Sequence, residues 1–269
     1  MATVSKVYEF LCKEAPVEMK MEFDNVGLLV GRRDSVVSKI VVSLDITNDV
    51  IAETLDASAE LIVAHHPLFF SLKSVTDEDA TGKKIIALLS GGISAICMHT
   101  NLDAARGGVN DALAVAAGIA GDGAETELLA EDGVLTTGEA FSYGRVGYLK
   151  NPLGFEEYLR MLSQKLNAGG LRYYDAGRKV CKVAVVGGSG GDMFQHAVRH
   201  GCDTFVTADI KYNMFLEAKE LGLNLIDGGH FCTENVVTGS LADRLSVAFP
   251  DVKVFVSEKH DQVVKFYTD

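Results

Sequence analysis

Several things are scarce in this chain of 269 residues. There are five cysteines, Cys12, Cys97, Cys181, Cys202 and Cys232. Their number is odd, their spacing wide, and no CxxC pair occurs, which argues against a disulfide framework or a structural zinc ribbon. Long apolar runs are missing as well. Stretches such as Leu61–Ala64 fall far short of the ~20 residues a membrane helix needs. The N-terminal MATVSKVYEFLCKEAP has acidic residues and no long apolar core, unlike a signal peptide. Basic charge is short: 25 Lys and Arg stand against 37 Asp and Glu, a net −12. Such a field repels phosphate backbones, so nucleic acid is a poor partner, while a local basic pocket still allows a small anionic substrate. The expectation is a soluble cytoplasmic protein, not a membrane one.

No low-complexity tract or Pro-rich linker marks a boundary either. Apolar residues make up 48% of the chain and charged residues 23%, an ordinary globular balance with material for a real core.

The chain does contain an internal echo. Residues 40–66, IVVSLDITNDVIAETLDASAELIVAHH, align without gaps on residues 183–209, VAVVGGSGGDMFQHAVRHGCDTFVTAD. Each copy opens with a β-branched run (Ile40–Ser43, Val183–Val186) and passes through a turn into a helix with apolar spacing. Each then reaches a second strand, Leu61–Ala64 or Thr204–Thr207. A crossover this short implies a parallel pair connected right-handedly. Further on, Ile93–Cys97 and Leu223–Ile226 read as third strands, each followed by an acidic residue four past a histidine (His99 and Asp103, His230 and Glu234) and then a helix. Helices are also expected over Val4–Lys13 and Phe155–Leu166.

The sequence thus predicts an α/β fold: two similar three-layer α/β lobes, an imperfect internal duplication, with a metal site between them at strand C-terminal ends. Residues 1–125 with 226–269 form the first lobe and 126–225 the second. The Gly- and acid-rich stretch Gly121–Gly144 is the expected junction.

Three clusters carry candidate chemistry. His65-His66-Pro67 ends an apolar strand, where α/β sheets collect ligands. Side chains alternate along a strand, so both imidazoles reach one site only where the strand turns out. Structural histidines are the plain alternative. Asp103 precedes Gly107-Gly108 and by itself is as well explained as a turn residue. Asn110 and Asp111 are assigned to capping. His230 and Glu234, four apart, share a helix face, as ordinary surface pairs also do. Taken together, imidazoles and carboxylates from three strand ends suit first-row divalent ions, and the lack of thiolates argues against a zinc knot. Five ligands exceed the needs of one open metal, and bridging carboxylates suit two ions about 3.5–4 Å apart. Cys232 is read as a bystander.

Gly187-Gly188-Ser189-Gly190-Gly191 links a strand to a helix as phosphate-cradling loops do, but lacks the lysine of a P-loop. Gly188, Ser189 and Gly190 are therefore weak substrate-binding candidates. Lys211 and Tyr212 follow the position equivalent to His66 and suit substrate contact. His196, His200 and His260 show no clustered partners.

At these residues the chain resembles the NIF-three-like dinuclear metal-centre proteins, the GTP cyclohydrolase 1 type 2 homologues. The matching stretches are DNVGLLVG (24–31), AHHPLFF (64–70), HTNLDAA (99–105), GGVND (107–111), DIKY (209–212) and GHFCTE (229–234). They run in order over nearly the whole chain. The resemblance implies metal ligands at His65, His66, Asp103, His230 and Glu234, a toroidal homohexamer, and monomers of two α/β lobes without the inserted domain of longer relatives. Two departures are Asn213, where a histidine is common, and Phe23, where tryptophan is frequent.

The expected cofactor is two divalent ions per chain, from Zn, Mn, Fe, Ni or Mg. The expected function is a metal-dependent hydrolase of a nucleotide, with water attacking the purine C8 of GTP and His99 shuttling protons. The alternatives are a phosphoester hydrolase at the same site, or a non-enzymatic metal-handling or scaffold protein.

Overall fold

The computed structural model describes residues 1–121 and 125–267. Residues 122–124 of the expected junction lie outside the described residues. The helices are α1 (Val4–Glu14), α2 (Asn48–Asp56), α3 (Ala80–Ser90), α4 (Thr100–Ala104), α5 (Val109–Ala116), α6 (Phe155–Leu166), α7 (Phe194–Arg199), α8 (Tyr212–Leu221) and α9 (His230–Ala248). The sheet strands are β1 (Gly27–Val30), β2 (Lys39–Ser43), β3 (Leu61–Ala64), β4 (Ser94–Cys97), β5 (Glu127–Leu128), β6 (Arg145–Leu153), β7 (Arg172–Tyr174), β8 (Val180–Val185), β9 (Thr204–Thr207), β10 (Asn224–Asp227) and β11 (Lys253–Val256).

Contacts divide the chain into two units. The first is Met1–Arg106 with Thr238–Asp261, and the second runs over Gly107–Val237 with the C-terminal residues from Gln262. The sequence reading placed the change-over near residue 125 instead. Helix α5 goes with the second unit because Leu113 and Ala114 pack in one core with Tyr158 and Leu162 of α6.

In the first unit the sheet order is β11-β2-β3-β4-β1. The first four strands are parallel and β1 is antiparallel at the edge. Strand residues alternate faces. Val41, Ile62 and Ala95 pack with Val50 and Ile51 of α2 and with Ile85 and Leu88 of α3. Ile40, Val42, Leu61, Val63 and Ile96 are equally buried on the other face. A sheet covered on both faces explains why these strands are continuous apolar runs. Threonine and aspartate caps start the helices: the Val50 N–H donates to Thr47 and the Gly82 N–H to Asp79.

In the second unit the order is β7-β10-β9-β8-β6-β5. Here β8, β9 and β10 are parallel, and β6 and β7 run antiparallel beside them. Val183, Val185, Val206 and Ile226 face α5 and α6, while Ala184, Val186, Phe205 and Leu225 face α7 and α8. This is a three-layer arrangement.

The echoed segments take corresponding elements. Ile40 pairs with Leu61 in β2 and β3, and Val183 with Thr204 in β8 and β9. Among the described residues no helix is long and apolar enough to cross a membrane.

Candidate metal centre

Parallel strands all end at the same edge of their sheet, so whatever follows their carboxyl ends is gathered there. In the first unit Asp45 lies two residues past β2, His65 and His66 directly follow β3, and His99 lies two residues past β4. His65, His66 and His99 each bring a ring nitrogen to within 4.8 Å of the others. The buried His65 directs Nε2 at Asp103 Oδ1, 3.5 Å away in α4. Adjacent histidines share this site because the strand has already ended at Ala64.

What holds these rings is a set of acceptors on their Nδ1 atoms. His65 Nδ1 donates to the Met98 carbonyl at 2.9 Å. His66 Nδ1 donates to Asp45 Oδ1 at 2.7 Å, and Asp45 Oδ2 accepts from His260 Nε2 at 2.8 Å. His99 Nδ1 donates to the buried Asp24 at 2.8 Å, and Thr100 donates to the same carboxylate from its backbone N–H. Burial by itself would raise both aspartates. The bonds from His99 and Thr100 outweigh it at Asp24, and those from His260 and His66 at Asp45, holding both carboxyls well below the usual range.

The second unit repeats the scheme. Asp209 follows β9 and His230 follows β10. Asp209 takes a left-handed conformation, φ 54°, which aspartate tolerates better than most residues. His230 Nδ1 donates to Asp209 Oδ2 at 2.7 Å, and Nε2 lies 3.2 Å from Glu234 Oε2 one helical turn on. The bond to Glu234, more than burial opposes, pushes His230 up to about 9, with Asp209 adding to the effect. Glu234 itself is buried. A Cβ at Gly188, whose φ is 61°, would stand 2.0 Å from Glu234 Oε1. Only glycine leaves room for that carboxylate.

Both donor sets are imidazole and carboxylate without thiolate; each ring has Nδ1 fixed, and His65 and His230 turn Nε2 toward a carboxylate. This is how metal-binding histidines are oriented. The residues present fit divalent metal ions.

A family model described as Duf34/NIF3 (NGG1p interacting factor 3) matches residues 2–262. The chain belongs to the Duf34/NIF3 family. It is 36% identical over 255 residues to a GTP cyclohydrolase 1 type 2 homolog of Clostridium perfringens, covering 94% of this chain and 95% of that relative. A hypothetical protein of Staphylococcus aureus, SA1388, superposes with a TM-score of 0.90 at 26% identity, covering 98% of this chain and 99% of that one. A NIF3-related protein of Bacillus cereus shares the fold at a TM-score of 0.89 and 24% identity, covering 99% of each chain.

Against this Duf34/NIF3 background the other expected residues are placed as follows. Lys211 and Tyr212 are exposed at the start of α8, and Asn213 beside them is exposed too. The glycine loop is occupied with its own structure. The N–H groups of Gly187, Gly188 and Gly190 donate to Asn110, Thr233 and Thr207. Its evident role is close approach to Glu234 rather than an open row of donors. Asp111 accepts from the Gly107 N–H and from buried Arg145, and Cys232 packs in the core. His260, read from the sequence as having no clustered partner, instead bonds Asp45; the two lie 215 positions apart. Asp24, Asp45 and Asp209 were missed as orienting groups. One signal was available, since Asp45 and Asp209 each stand two residues past a parallel strand.

Proposed function

We propose that His65, His66, Asp103, His230 and Glu234 together hold two divalent metal ions, and that the chain is a metal-dependent hydrolase of a nucleotide. The observation that carries this reading is the fixed Nδ1 of His65, His66 and His230. In His65 and His230 the Nε2 atom faces a carboxylate that would share its ion. The nitrogen and oxygen donors suit Zn, Mn, Fe, Ni or Mg.

When bound, paired ions supply an acidified water and stabilise developing negative charge. The remaining work falls to the chain. His99, its Nδ1 held by Asp24, offers Nε2 to carry a proton at the reacting centre. Lys211 and Tyr212, exposed at the start of α8, contact the substrate; the glycine-loop donors are engaged within the fold. The name borne by the curated relatives supports GTP as the nucleotide, with water adding at the purine C8. The same reading includes a toroidal homohexamer working in the cytoplasm.

The test is metal content per chain by elemental analysis, in the wild type and in a His65→Ala, Glu234→Ala double variant. About two ions per chain, lost together in the variant, is the expected result. Absence of metal after reconstitution with Zn²⁺, Mn²⁺ and Fe²⁺ would sink the reading. Metal-loaded protein that leaves GTP unchanged would remove GTP opening alone.

A further inference from the structure

Two phenylalanines stand largely in solvent next to the first-unit histidines. Phe23 is 65% and Phe70 56% exposed. Their ring centroids are 6.1 Å apart with planes at 53°, and Phe70 lies 6.0 Å from the His99 ring. Exposing one large apolar side chain is ordinary. Placing two in contact, one of them against a polar imidazole cluster, forms a wall that runs from the candidate reacting end outward. Phe70 also lines a cavity of about 370 Å³, together with Phe69, Leu72, Lys73, Asp79 and Thr81. That volume is in the range for small ligands. It carries one charge of each sign. Asp79 is engaged in capping α3, accepting from the Gly82 N–H, whereas no described carboxylate pairs with Lys73.

We propose that Phe23 and Phe70 form a stacking platform for a planar heteroaromatic ring whose anionic substituent is met by Lys73. Aromatic faces take any flat π-system and add a cation preference only at their centres, so a neutral or electron-poor heterocycle suits them. The ring end is held against Phe70, adjacent to His99, and the anionic end points along the loop at residues 71–74. This deepens the hydrolase reading, on which it rests, by assigning the part of the molecule that recognises the base.

The chain has no tryptophan, so Phe23→Trp supplies a single reporter beside the site. Guanosine, GTP and inorganic triphosphate are titrated into this variant, both Zn²⁺-loaded and metal-free, and binding of GTP to the wild-type chain is measured by equilibrium dialysis. The expected result is saturable quenching by guanosine and GTP. Adding Phe70→Ala weakens both by about ten-fold, and Lys73→Gln weakens GTP while sparing guanosine. Phe70 is exposed, so its truncation leaves the fold and the metal content unchanged. Triphosphate binding without guanosine binding, quenching indifferent to Phe70→Ala, or no GTP bound by the metal-loaded wild type would each overturn the platform. So would a shift in reporter emission that follows protein concentration rather than ligand, which would mark a contact between copies. Guanosine quenching in a chain that takes up no metal would keep the platform and remove the hydrolase; metal uptake without any quenching would do the reverse.

Discussion

His66 and Asp45 meet across a 2.7 Å hydrogen bond, Nδ1 to Oδ1, at the ends of two adjacent parallel strands. The other oxygen of Asp45 is taken by His260. The carboxylate is therefore fixed from both sides, and it fixes the ring in turn. Asp45→Ala is expected to lower metal affinity about 10–100-fold, the usual effect of losing a carboxylate behind a ligating histidine. Competition with a chromophoric chelator reads this directly. An unchanged affinity would mean that His66 is not a ligand.

Gly188→Ala tests the close approach to Glu234. The new Cβ would fall 2.0 Å from Oε1, on a backbone with φ 61°. The left-handed conformation alone costs a non-glycine residue about 1 kcal/mol, and Glu234 must also move. Lower stability in denaturant and reduced metal content should appear together.

The proton on His230 competes with metal. Its hydrogen bond to Glu234 pushes it up to about 9 in the metal-free chain, so the ring is charged at neutral pH. Metal loading should release a proton, seen as acidification of a weakly buffered solution, and affinity should rise with pH toward 9. Stability runs the other way. A raised folded-state pKa gives stabilisation that is complete below the ordinary histidine value of about 6.5 and lost as pH climbs through the folded value. The denaturation midpoint of metal-free protein should fall over that window, and a His230→Gln variant should flatten the fall.

Asp111 and Arg145 form an ion pair, with the guanidinium buried and also bonded to the Ser142 and Gly144 carbonyls. Removing Asp111 takes a carboxylate from a buried guanidinium. Asp111→Ala should cost about 3 kcal/mol in unfolding free energy, while metal per chain stays at the wild-type value. A loss of metal instead would give Asp111 a place in the centre.

The sequence by itself determined the elements and the candidate donors. Helices at Val4–Glu14 and Phe155–Leu166 and the strands Lys39–Ser43, Leu61–Ala64 and Thr204–Thr207 lie within a residue of their expected positions, because local periodicity and β-branched runs encode them. His65, His66 and His230 were legible because imidazoles just past an apolar strand stand out in a single string. What only the tertiary structure decided are the partners behind them. His99 meets Asp24 from 75 positions away, and His260 meets Asp45 from 215. Parallel strands joined by crossovers bring together, at one sheet edge, residues that no local pattern relates. A carboxylate's role there depends on which ring the register puts beside it. The sequence could name the candidate donors, but only the order β11-β2-β3-β4-β1 brought Asp45 to His66.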